Sequence, residues 1–161
     1  AIDMAILPDL KNEYGIEFDK YEERFIMVDE MWLAGSTKDA TIPETIGLRE
    51  LGSRPLIYDS ASYPGFRRQV EQKLNQLKMT EKPLFESDNV GTLKRVIEAG
   101  VGWGFVPSHS IRKQVKTRRL SRIHIEELKY SVNVNLYTLR APGIKPMSKT
   151  FYRAIQQQII T

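Results

Sequence analysis

An open α/β fold with parallel strands is the architecture that this sequence predicts. Short β-rich runs alternate with helical stretches along the chain. The helical stretches repeat apolar residues every three or four positions, and glycine or proline stands at most of the joints. The length of 161 residues suffices for one domain or two small lobes.

The elements follow in order. Residues 2–7 (IDMAIL) are an apolar run stopped by Pro8, a strand. Residues 24–33 (RFIMVDEMWL) are β-rich, a second strand, and the polar stretch 34–45 reads as loop. Residues 46–51 hold one helical turn that Gly52 ends, and residues 55–58 (PLIY) are a short buried strand. Phe66, Val70, Leu74 and Leu77 mark a helix over 63–77, with Ser62 as N-cap and Pro64 in the permissive first turn. Residues 83–86 are a strand. Val90, Leu93 and Ile97 mark the next helix, with Ser87 or Asp88 as cap and Gly100 as its stop. A strand over 103–106 ends at Pro107, and 108–115 is a short helix. Residues 120–125 and 132–137 alternate as strands. After the turn at Pro142, Gly143 and Pro146, residues 147–160 form a last helix with Met147, Phe151, Ile155 and Ile159 on one face, of which Met147, Phe151 and Ile155 are most simply core.

Composition excludes several function classes. An apolar fraction of 41% supports a packed core, so wholesale disorder is excluded. The net charge of +4 is modest and mixed along the chain, so it does not by itself indicate nucleic-acid binding. The absence of cysteine rules out disulfides and thiolate metal sites and fits a cytosolic setting. No apolar run approaches the roughly 20 residues of a membrane span. The opening AIDMAILPDL is no signal peptide; it reads as a strand already under way, which suggests a fragment.

The stretch SDNVGTLKRVIEAGVGWGFVP (87–107) poses the sharpest question. A dinucleotide loop needs strand, glycines, helix, so that the helix N-terminus meets the phosphates. Here the helix precedes Gly100, Gly102 and Gly104, and its carbonyl end repels anions. The glycines therefore read as a helix stop followed by close backbone approach at a strand entry.

At this point the sequence resembles the effector-binding domain of LysR-type transcriptional regulators. The string from Val96 through Ala99, Gly100 and Gly102 to Phe105, Val106 and Pro107 resembles that family's helix-to-strand hallmark. IDMAI, RPLIYDSASYPGFRRQVE, RRLSRIHI (with Arg119 where glycine is usual) and the closing amphipathic helix fall in family order, covering nearly the whole chain. The resemblance implies two Rossmann-like lobes of the type II periplasmic-binding-protein-like fold. Lobe one would be 1–54 with 127–161, incomplete because its first β-α-β unit is missing, and lobe two 55–126. It also implies a bacterial, cytoplasmic, oligomeric regulator whose DNA-binding winged helix-turn-helix is absent from this chain.

The candidate site follows from strand ends. The loop Asp59 to Tyr63 lies at a strand's carboxyl end before a helix, where open α/β folds place ligands and where backbone N–H groups suit an anion. Ser60, Ser62 and Tyr63 are its effector-binding candidates, beside the reading that Ser62 only caps its helix. Arg67, one turn further on, offers a bidentate charge or a solvated side chain. Ser87 and Asn89 stand at the second such junction, again against ordinary capping. Pro8 and Asp9 follow the first strand and, by resemblance, line the opposite wall of a cleft between the lobes. Asp59, Glu86 and Asp88 oppose an anion unless they point away. His109 and His124 lack metal-ligand spacing, Ser108–His109 lacks a nucleophile elbow, and neither a cofactor nor catalysis is expected. Lys116 to Arg122 (KTRRLSR) reads as a solvated turn.

Three functions compete: a ligand-sensing, oligomerising regulatory domain, a periplasmic solute-binding protein of a transporter, and an α/β enzyme. The enzyme lacks an assembled nucleophile, base and orienting group. The first two are separated by what lies upstream, a helix-turn-helix or a secretion signal. A dimer or larger is expected, through the helix of 63–77 and the strand near 29–33 with Met31 and Trp32 exposed.

Overall fold

A computed structural model describes residues 2–9 and 18–160, and the side chains of all of these but Ile160. Chain contacts divide it into two compact units, residues 1–29 with 131–161 and residues 30–130. Residues 30–54, which the resemblance assigns to lobe one, pack within the second of these.

Unit one is built from the two ends of the chain. Strand β1 (Met4–Pro8) runs antiparallel to β7 (Ser131–Leu139), with Met4 opposite Thr138 and Pro8 opposite Val134. The first part of β2 (Tyr21–Ser36), residues 21–29, lies on the other side of β7. Phe18 stacks on Tyr137 at 4.6 Å. The helix α5 (Ile144–Ile160) faces the sheet through Ser148, whose Oγ is 2.7 Å from Thr138 Oγ1, and Tyr152, whose hydroxyl donates to the Phe25 carbonyl at 2.8 Å. The expectation that Met147 and Phe151 are core is corrected: they are 54% and 41% exposed, and Ile159 is exposed as well. The helix is rotated so that the polar Ser148 meets the strands, and among the described residues no element covers its apolar flank.

Unit two is a mixed sheet. Strands β3 (Leu56–Asp59), β4 (Pro83–Ser87) and β5 (Trp103–Pro107) are parallel, with β3 in the middle. The remainder of β2 pairs antiparallel with β5 on one edge and with β6 (Leu120–Ile123) on the other. The parallel strands of the sequence reading are thus β3, β4 and β5, and β2 and β6 add antiparallel pairings to them. Parallel neighbours need a crossover connection, which α2 (Pro64–Gln76) supplies between β3 and β4, and α3 (Val90–Glu98) between β4 and β5. The stretch 34–45 also begins as strand, because β2 continues to Ser36. Two further helices complete the unit, α1 (Leu48–Ser53) and α4 (Ser108–Lys116).

The core of unit two gathers Ala34, Ile57, Leu93, Ile97, Val106 and Ile111. On α2, Phe66, Val70 and Leu74 are buried, as their spacing predicts. Gly100 ends α3 in the left-handed region at φ 81°, a conformation that L residues with a Cβ rarely adopt. Gly104 has a different reason: a Cβ there would come within 2.7 Å of Ile97 Cδ1, 2.9 Å of Ile57 Cβ and 3.1 Å of the Ile57 carbonyl oxygen. Met31, expected on the surface, is only 8% exposed, and its N–H donates to the Tyr130 carbonyl at 3.4 Å. Alternation along β2 turns Met31 inward and leaves Trp32 half-buried.

Candidate functional site

The two strand-to-helix junctions of unit two meet. The Ser60 N–H donates to the Ser87 carbonyl at 3.0 Å, which ties the end of β3 to the end of β4. Ser60 and Asn89 are exposed, Ser62 and Ser87 half-buried. Parallel pairing of β3 with β4 thus brings four of the predicted residues, Ser60, Ser62, Ser87 and Asn89, to one end of the sheet.

Local hydrogen bonding differs from the sequence reading at each junction. Ser62 does not cap α2. The cap position is Tyr63, in a left-handed conformation (φ 50°, ψ 68°) with no side-chain cap bond. The loop is closed instead by Asp59, whose Oδ1 accepts from the N–H groups of Ala61 at 2.9 Å and Ser62 at 3.0 Å. This is an Asx turn, a habit of aspartate at the start of a loop, and it uses two of the donors expected for a ligand. At the second junction Asn89, rather than Ser87 or Asp88, caps α3: its Oδ1 accepts from the Thr92 N–H at 3.0 Å. Ser87 Oγ accepts from the Asn89 N–H at 3.0 Å.

Tyr63 and Arg67 are engaged elsewhere. The Tyr63 ring is buried and packs on Tyr130 at 5.8 Å between centroids, and Tyr130 also meets Phe66 at 5.6 Å. A non-glycine residue held left-handed is strained by roughly 1–3 kcal/mol, and such strain gathers at functional sites. Arg67 is shared by two carboxylates: its Nε donates to Glu81 at 2.7 Å and its Nη2 to Glu86 at 2.8 Å. Its guanidinium also lies 3.8 Å from the Tyr58 ring centre. Pro8 and Asp9 belong to unit one, where the Asp9 N–H donates to the Asn133 carbonyl at 2.7 Å.

Burial, and next the negative charge of Glu81, push the Tyr58 phenol well above its ordinary value. The phenol oxygen is buried with no hydrogen-bond partner. The unfolded chain would ionise first, so stability is full below about pH 10 and falls by about 1.4 kcal/mol per pH unit above it. Tyr58→Phe is expected to flatten this alkaline fall and to leave stability at pH 7 unchanged or slightly raised, read from urea unfolding at pH 7 and pH 11. An undiminished alkaline slope would place the titrating group elsewhere.

Sequence reasoning missed a cavity of about 280 Å³ in unit two, near the amino ends of β3 and β5. Arg54 lies 3.8 Å over the Trp103 ring there, and Trp103 Nε1 donates to Asp39 Oδ2 at 3.3 Å. Hydrogen bonds from the Thr41 hydroxyl and N–H hold the Asp39 carboxyl below its usual range. None of the predicted site residues lines this cavity. Its signal in the sequence was an arginine before one strand and a tryptophan opening another, residues too far apart to be linked without the fold. Among the described residues no cluster of His, Asp and Glu could hold a metal ion. Likewise, no helix among them is long and apolar enough to cross a membrane.

The family model of the LysR substrate binding domain matches residues 1–159. The chain belongs to that family. Its structure is similar to the regulatory domain of HypT from Salmonella typhimurium, with a TM-score of 0.71 at 17% identity over 97% of this chain and 73% of that one. It is also similar to full-length HypT, a hypochlorite-specific LysR-type transcriptional regulator, with a TM-score of 0.68 at 18% identity over 96% of this chain and 51% of that one. DarR from Vibrio fischeri, solved in complex with DNA, gives a TM-score of 0.69 at 20% identity over 96% of this chain and 50% of that one. This LysR-family chain thus spans about half the length of the full-length regulators. No curated protein matches its sequence. The fold is that of the type II periplasmic-binding-protein-like domains, and the neighbours are transcriptional regulators rather than enzymes.

Proposed function

We propose that this chain is the effector-sensing part of a cytoplasmic bacterial LysR-type regulator, in which a small anionic effector controls DNA binding by a winged helix-turn-helix outside this chain. The observation that carries the reading is the family match over residues 1–159. The periplasmic solute-binding reading loses its support there, because the similar solved proteins are regulators. The two-lobe division, with boundaries near Arg54 and Glu126, belongs to the same proposal.

The effector site we propose is the joined end of β3 and β4. With the Ala61 and Ser62 N–H groups used by Asp59, the donors for an anion are the hydroxyls of Ser60, Ser62 and Ser87 and the side-chain amide of Asn89. The start of α3 adds a partial positive charge, worth about 0.3–1 kcal/mol toward an exposed anion. Arg67 would join only by releasing one of its carboxylates. Asp59, Glu86 and Asp88 near the same end favour a second reading, a ligand rich in donors such as an amine or polyol.

Calorimetry on a complete effector domain decides between them. A panel of carboxylates, sulfate and phosphate is titrated beside amines and polyols, with Ser60→Ala/Ser87→Ala as the site variant. Each lost hydroxyl bond to a charged group is expected to cost about 1.5–3 kcal/mol, so the double variant should bind its anion at least about a hundredfold more weakly. Binding of amines or polyols alone, or an unchanged variant, would refute the anion site.

Oligomerisation is part of the reading too. The exposed Met147, Phe151 and Ile159 of α5 are apolar surface of the kind that marks association, and Ile6 and Leu7 of β1 are exposed as well. Sedimentation of this chain is expected to show a dimer or larger, moved toward monomer by Phe151→Ser. A strict monomer at high concentration counts against it.

A further inference from the structure

Charge in unit two is segregated along the sequence. All 20 acidic residues of the chain lie outside residues 99–125, a stretch that carries six of its 24 lysines and arginines. The six are Arg112, Lys113 and Lys116 on α4, Arg118 and Arg119 in the turn after it, and Arg122 on β6. All but Arg122 are exposed, and Arg122 is half-buried. Among the described residues the one carboxylate within ion-pair reach of any of them is Glu30, 3.9 Å from Arg122.

The surface is also held in shape. The Thr37 hydroxyl donates to the carbonyls of Arg118 at 2.8 Å and Arg119 at 3.2 Å, and the Arg119 N–H donates to the Gln114 carbonyl at 2.8 Å. Arg112 and Arg122 both lie against the Trp32 ring, 5.1 and 4.2 Å from its centre, and Trp32 Nε1 donates to Glu30 Oε2 at 2.6 Å. Arg112 Nη2 donates to the buried Ser108 hydroxyl at 3.3 Å. Burial lowers the pKa of Arg122, and the charge of Arg112 lowers it further, so like charges crowd here with one distant acid to offset them.

A helix dipole accounts for Lys113 and Lys116, which stand in the last turn of α4. It does not account for Arg112, Arg118, Arg119 and Arg122. We propose that α4, the turn after it and β6 form a contact surface for the phosphate backbone of duplex nucleic acid, independent of sequence. Six cations on a helix, a turn and a strand suit a polyanion with one charge per about 1.7 Å of its axis better than the scattered carboxylates of a protein surface. The arginines held on Trp32 lose less freedom on binding than free side chains would. The surface positions without reading bases, because no side chain here is presented on a recognition helix to base edges. It does not depend on the effector site.

The test is fluorescence anisotropy of a labelled duplex of arbitrary sequence, titrated with this chain between about 50 and 200 mM salt. Weak binding is expected, with log affinity falling linearly against log salt by about 0.9 for each phosphate neutralised. Lys113→Gln/Lys116→Gln/Arg119→Gln removes three exposed charges without touching Trp32. It should weaken binding by roughly tenfold or more and make the salt slope shallower by about 0.9 for each phosphate left without its cation. Arg112→Gln/Arg122→Gln should act the same way, with circular dichroism as the check on its fold. Arg49→Gln/Lys82→Gln/Lys129→Gln, an equal charge change at exposed positions elsewhere, should leave binding nearly intact. Equal weakening by both triple variants would reduce the effect to net charge and overturn the proposal. So would no binding at the lowest salt, or displacement of the duplex by polyglutamate at equal charge, which would mark a surface for acidic protein instead.

Discussion

Gly104→Ala is expected to destabilise the chain by about 3 kcal/mol, at the upper end of what one added methyl costs in a packed core. The methyl would meet Ile57 Cβ and the Ile57 carbonyl oxygen, positions fixed by the strand, as well as the Ile97 side chain. Side-chain rotation relieves only the last. Domain stabilities are typically about 5–15 kcal/mol, so such a loss is a large fraction of the whole. Gly100→Ala is the informative contrast. It has open space at the Cβ but a φ of 81°, and the cost should be about 1–2 kcal/mol, from backbone strain alone. Urea unfolding should show lower midpoints with unchanged slopes. A Gly104→Ala protein within about 0.5 kcal/mol of the parent would mean that β5 and β3 do not approach as closely as described.

Arg67→Met is expected to cost about 2–4 kcal/mol. The loss comes less from the ion pairs themselves than from Glu81, which is left charged and only 9% exposed without its partner. Glu86→Gln should cost under about 1 kcal/mol, because that carboxylate is exposed. Arg67→Met/Glu81→Leu should recover part of the loss, since an absent pair is better tolerated than half of one. If Arg67→Met unfolds at the parent's midpoint, Glu81 is solvated and the clamp between α2 and β4 is not structural.

The legible part of this protein was what depends on neighbours in sequence. Phe66, Val70 and Leu74 are buried as their spacing requires, and Gly100 stops its helix left-handed as expected. The order of strands and helices also placed Ser60 and Ser87 at strand ends. Hydrogen bonds within those loops were less legible, because Asp59, Ser62 and Asn89 are all competent to cap and geometry chooses among them. The partners of Arg67 were not legible, since Glu81 and Glu86 reach it only once β4 lies beside β3. The same holds for Trp32, whose arginines arrive from residues 112 and 122. Periodicity announced an apolar face at Met147, Phe151 and Ile159 correctly. It carries no information on whether another element covers that face.

The way the chain divides has a consequence for its birth on the ribosome. Residues 30–130 are continuous, so unit two can close as soon as β6 and the segment to Tyr130 have emerged. Unit one cannot: Met4 of β1 must wait for Thr138 of β7, and for α5 after it. Such long-range pairing is entropically slow to form. Until β7 has emerged, β1 and the start of β2 remain strands without a sheet, with Ile6, Leu7, Phe25 and Val28 in reach of other nascent chains. Aggregation during expression should therefore track the C-terminal segment, residues 131–161, that completes unit one, more than any change inside residues 30–130.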